Sequence, residues 1–73
     1  MTDKVNARIT VKVITDETFR TDWSEETPET LEDLRHLLSR VSDMEKFYIT
    51  TAGGRKVYIN PAHIVYSYVE TKG

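Results

Sequence analysis

Few side chains in this chain could carry acid–base, nucleophilic or metal chemistry. His36 and His63 are its only imidazoles and there is no cysteine, so disulfides and thiolate-based zinc sites are excluded. A structural zinc would need carboxylates beside the histidines, an uncommon ligand set. No Gly-x-Ser-x-Gly elbow is present, and Gly53-Gly54 followed by Arg55-Lys56 lacks the spacing and the following helix of a phosphate loop. Glu25 and Glu26 are adjacent on an expected surface connection, where nothing divides an acid role from a base role. His63 is expected to bond a nearby corner carbonyl through its ring, and His36, four residues after Glu32, to make an i,i+4 contact. The expectation is a chain that is not an enzyme and has no cofactor and no metal.

The residues better suited to function are suited to binding. Tyr48 and Tyr58, with Arg55 and Lys56 between them and Tyr66 and Tyr68 further on, combine aromatic faces with cations. That mixture can stack unpaired bases. It also supplies protein-interface anchors, because tyrosine offers contact area at little entropic cost. A third role is structural, with tyrosines filling cross-strand pairs on a solvated sheet.

Charge helps to choose among these. The formal net charge is -2, but residues 16–33 hold eight acids against the single Arg20, a charge of -7 that leaves +5 for the remainder. Phosphate-neutralising domains usually carry a basic surplus, so a protein partner or self-association is the first expectation and single-stranded nucleic acid the alternative. The acidic segment is expected to solvate a loop and complement a helix dipole; a mimic of a phosphate backbone is its second reading.

The elements that must position these residues can be read from periodicity. Val5, Ala7, Ile9, Val11 and Val13 alternate with polar residues, the period of a half-buried strand. Phe19, Thr21 and Trp23 alternate likewise, and a loop over 16–18 predicts Val11 opposite Trp23 and Val13 opposite Thr21, with Trp23 facing inward. The acidic stretch from Ser24 to Thr27 reads as a connection. Thr27 and Pro28 mark a helix start, and Leu31, Leu34, Leu37, Leu38 and Val41 gather on one side of that helix.

The run from Phe47 to Asn60 predicts a second hairpin with a three-residue loop, 52–54, pairing Thr51 with Arg55, Ile49 with Val57 and Phe47 with Ile59. Tyr48, Thr50, Lys56 and Tyr58 then share the outer face. Pro61 fixes φ against a tight hairpin turn, so Asn60-Pro61 predicts a type I or 3-10 corner with the Asn60 side chain bonding back to the backbone. For the last strand two inward sets remain open: Ile64, Tyr66 and Tyr68, or Val65, Ser67 and Val69.

The sum is a single α+β domain over residues 1–73, in the order β-β-α-β-β-β, with one helix on a mostly antiparallel curved sheet. A chain of 73 residues buries only about 60% of the surface its unfolded form exposes, which leaves idealised packing or self-association to offset the deficit, and a free edge of the first or last strand could supply a dimer contact. The apolar runs are too short to span a membrane, and the opening residues lack the basic start and apolar block of a secretory signal, so a cytoplasmic, membrane-free protein is expected.

From Tyr58 to Glu70 the sequence YINPAHIVYSYVE resembles a segment of small uncharacterised open reading frames of bacteria, phages and prophages, in which a strand, an Asn-Pro-Ala-His-Ile-Val corner and a last strand close the domain. The Ile59-Asn60-x-x-x-Ile64 run after a glycine hairpin is also similar to small flagellar proteins, although this chain has an additional N-terminal hairpin and helix. The phage and prophage resemblance implies an accessory or regulatory protein and assigns no functional residue.

Overall fold

A computed structural model of the protein describes residues 4–72. Its strands are β1 (Val5–Val13), β2 (Thr18–Arg20), β3 (Ser24–Glu26), β4 (Phe47–Thr50), β5 (Lys56–Ile59) and β6 (Ile64–Lys72), with the helix α1 (Pro28–Ser39) between β3 and β4. Strands β2 and β3 pair with the two ends of β1 along one edge, so they act as two halves of one bent strand. The order is therefore β-β-α-β-β-β, an α+β domain in which every pairing is antiparallel.

β1 is the central strand, because β6 covers its other edge from Asn6 to Val13. β4 and β5 form a separate two-stranded sheet, joined to the first by a single bridge between Thr21 and Thr51 and by the Ala52 amide bonding to the Arg20 carbonyl at 3.2 Å. Between the two sheets lies the apolar cluster of Val11, Val13, Leu38, Val41, Phe47, Ile49 and Ile59. Alternation puts the odd-numbered residues of β1 on that side, as the sequence predicts.

The first hairpin departs from its predicted register. Its loop is 14–16 rather than 16–18: the Val13 amide bonds to the Glu17 carbonyl and the Asp16 amide to the Val13 carbonyl, both at 3.0 Å. Asp16 takes φ 69°, the left-handed region that short polar side chains tolerate best after glycine. The loop stays odd in length but moves by two residues, so Val11 faces Phe19, not Trp23. Between β2 and β3 the bent strand carries one more residue than β1 opposite it. This bulge brings Trp23 over Arg8 on the outer face of the sheet, which corrects its predicted inward position. The acidic Ser24–Glu26 is likewise a strand against Val5–Ala7 instead of a loop.

The helix begins as predicted, with the Thr27 hydroxyl accepting from the Thr30 amide at 3.3 Å and proline in the first turn. Leu31 and Leu38 are buried and Leu34 half-buried. Leu37 is exposed, because it lies roughly 90° round the helix from that stripe. Val41 is buried from a 3-10 turn that follows the helix. Glu32 pairs with Arg35 at 3.2 Å, which replaces the contact expected with His36.

The second hairpin has the predicted register throughout, with Gly54 at φ 80° in its loop. At the corner, the Asn60 side chain accepts from the Ala62 amide at 3.0 Å and Pro61 opens a 3-10 turn. His63 contributes through its backbone: its amide donates to the Asn60 carbonyl at 2.8 Å and its carbonyl accepts from Ile14 at 2.9 Å. Among the described residues its ring makes no hydrogen bond, so the expected imidazole contact is absent. In β6 a bulge at Val65 shifts the register between Lys12 and Val13. Ile64 and Val69 consequently both pack on the core, and neither of the two predicted inward sets holds intact. Among the described residues, no helix is long and apolar enough to cross a membrane.

Candidate binding surfaces

The structure divides the six candidate residues between two sheets. Tyr48 and Tyr58 face each other across β4 and β5, with ring centroids 5.5 Å apart and exposures of 52% and 70%. The Lys56 ammonium lies 4.8 Å from the Tyr48 ring centre, a cation–π contact. Arg55 pairs through its backbone with Thr51, and strand alternation puts its Cβ on the side of Val57 and Ile59. It is therefore not part of the tyrosine face.

Close to this pair is a second exposed apolar residue. Ile14, 61% exposed, and Tyr58 line a common cavity of about 240 Å³ with Phe19, Ile59 and His63. The cavity lies where the first loop meets the Asn60–His63 corner. An aromatic side chain beside an open, partly apolar hollow is the usual form of an interface anchor.

Tyr66 and Tyr68 belong to the other sheet. They sit opposite Lys12 and Thr10 on the outer face of β6 and β1, with ring centroids 5.9 Å apart and nearly equal exposure. The Lys12 ammonium is 5.9 Å from the Tyr66 ring. Further along the same face the Trp23 ring is flanked by the Arg8 guanidinium at 4.3 Å and the Lys72 ammonium at 4.6 Å. Sequence reasoning missed Trp23, Arg8, Lys12 and Lys72 because it turned Trp23 inward. The two-residue loop shift alone would have kept Trp23 inward; the bulge between β2 and β3 turns it out.

One acid anchors this face. Arg8 grips Glu70 with two bonds, Nε to Oε1 at 3.2 Å and Nη2 to Oε2 at 3.0 Å, and the Thr10 hydroxyl donates to Oε1 at 3.2 Å. These contacts explain how Thr10 is 99% buried on a polar face, since its hydroxyl has a partner. The Arg8 hydrogen bond holds the Glu70 carboxyl below its ordinary value against the opposing effect of desolvation, with smaller help from the Arg8 charge, Thr10 and Arg20.

None of the four tyrosine hydroxyls bonds within the protein among the described residues, so all are available to a partner. No group of three or more metal-ligating side chains is assembled among those residues. Comparison with known proteins returns no matching family model, no matching curated protein and no matching solved structure.

Proposed function

We propose that this chain is a non-enzymatic interaction module that binds a protein partner through Tyr48 and Tyr58, of the accessory kind that the bacterial and phage resemblance implies. The observation that supports it most is the Tyr48 and Tyr58 pair. Two adjacent, highly exposed rings, whose hydroxyls bond to nothing among the described residues, stand beside Ile14 and an open hollow. Rings of this kind supply apolar area and a polar tip together. The net charge of -2 favours a protein over a polyanion as partner.

The experiment is affinity capture from a bacterial lysate, with and without nuclease, using the wild type, Tyr58→Ala and Lys56→Glu. A partner that survives nuclease, is lost with Tyr58→Ala and is kept with Lys56→Glu is expected. Loss with Lys56→Glu alone, or retention with both variants, overturns the tyrosine-anchored reading.

A second reading is favoured by one observation. The outer face of β1 and β6 interleaves Trp23, Tyr66 and Tyr68 with Arg8, Lys12 and Lys72, an arrangement suited to single-stranded nucleic acid. It predicts binding to a labelled oligonucleotide that weakens steeply with salt and is abolished by Lys12→Glu. Salt-independent or absent binding rules it out.

A further inference from the structure

β6 is a long strand with one edge uncovered. In an antiparallel ladder the backbone groups of successive residues turn to opposite sides. The Val13 amide donates to Glu17, and the Ile9 carbonyl accepts from the Thr21 amide; the odd residues of β1 thus turn their backbone to β2. Its even residues turn to β6, and the Ile14 amide continues that pattern by bonding to His63. Given the register of β1 with β6, Tyr66, Tyr68 and Glu70 spend their backbone groups on β1, while Ser67, Val69 and Thr71 direct theirs outward. Among the described residues no strand lies on that side.

Beyond the Val65 bulge at its start, β6 carries little to shield this edge. Natural edge strands are usually short, charged or broken by proline. β3 follows that rule, with three residues of which two are glutamates. β6 has nine residues, no proline, and no charge from Ile64 to Val69.

The space beside the edge also has a definite shape. A groove of about 340 Å³ runs between Ser67, Tyr68 and Val69 of β6 and Arg35, Leu38 and Ser39 of α1. A strand entering it must turn small side chains toward the helix and can turn large ones to the outer face. Past its bulge β6 has this division itself: Ser67, Val69 and Thr71 alternate with Tyr66, Tyr68 and Glu70.

We infer that two copies of this chain pair antiparallel along their β6 edges, about a two-fold axis at Ser67, into one continuous sheet. In that register Ser67 faces its own counterpart in a mutually bonded pair, Tyr66 of each copy opposes Tyr68 of the other, and no like charges are opposed. The accessible surface is consistent with an uncovered contact: 5249 Å² exceeds by about 600 Å² the roughly 4,650 Å² of a compact monomer of this size. The pairing leaves the Tyr48 and Tyr58 face free and does not depend on its role.

The test uses the absence of native cysteine. A bonded antiparallel pair sets its Cα atoms about 5.5 Å apart, within disulfide range. Ser67→Cys is expected to sediment as a dimer and to cross-link under mild oxidation about a hundredfold faster than the exposed hairpin variant Thr50→Cys at 10 µM, because pairing raises the local thiol concentration to the millimolar range. Tyr58→Ala should leave the wild-type dimer intact, which separates this test from that of the tyrosine anchor. A wild-type monomer, a dimer in which Ser67→Cys links no faster than Thr50→Cys, or a monomer whose β6 amides become protected only with a different protein each overturns the inference.

Discussion

The two hairpins close with the same loop and differ in the residue that makes it possible. In each, three residues are spanned by two backbone bonds: Val13 to Glu17 and Asp16 to Val13 in the first, Thr51 to Arg55 and Gly54 to Thr51 in the second. The third loop residue is left-handed in both, Asp16 at φ 69° and Gly54 at φ 80°. Glycine takes that conformation without a steric penalty, whereas an aspartate bears the penalty and must be held by the strands on either side. One turn is therefore specified locally by its sequence, and the other by the sheet it joins.

The strongest way to separate the hairpins is through their phenylalanines. Phe47 of the second is buried and Phe19 of the first only partly so. Phe47→Ala should lose about 3–5 kcal/mol in urea unfolding, a large part of the roughly 4–11 kcal/mol expected for a chain of this length, and Phe19→Ala clearly less. Equal losses would mean that both hairpins rest equally on the core. The loops themselves give the next effect. No atom lies within 4 Å of a methyl added at Gly54, so Gly54→Ala should cost about 1 kcal/mol through backbone strain alone. Asp16→Gly should gain about 0.5 kcal/mol, since the Lys12 contact it removes is long and exposed. A destabilised Asp16→Gly would show that the aspartate holds the turn by more than tolerance.

The smallest difference is electrostatic and belongs to the sheet of the first hairpin. Because Glu70 has its carboxyl value lowered by Arg8, its ion pair stabilises the fold above the unfolded carboxyl value and loses that contribution as pH falls through the lowered folded value. Glu70→Gln should melt below the wild type near neutrality and converge with it in acid. Parallel melting curves across that range would show that the pair adds nothing.

The same contrast explains which parts of the fold can be read from sequence. The second hairpin, the Thr27-Pro28 helix start and the Asn60-Pro61 corner are each marked by a residue with a restricted or special backbone, and each forms at its predicted place. The first hairpin has no glycine, and its register follows from tertiary fit, which moves Trp23 to the outer face and makes a strand of Ser24–Glu26. The Val65 bulge has no local marker either, so Tyr66 and Tyr68 share a face that alternation alone left open. Of the candidate surface, the Tyr48, Lys56 and Tyr58 set is visible in the strand period. Arg55 fails because it pairs with Thr51 on the opposite parity, and the cations around Trp23 depend on a bulge that no short-range pattern announces.

The single bridge between Thr21 and Thr51 has a consequence for how the molecule comes apart. β1 is held along both edges, and its release requires the whole fold to open. The β4 and β5 hairpin is held to the larger sheet by that bridge, with its Ala52 to Arg20 bond, and otherwise by the buried Phe47, Ile49 and Ile59, so it can separate only by opening the core. The tyrosine pair thus rides on a segment fixed to the rest of the fold by side chains more than by a backbone ladder.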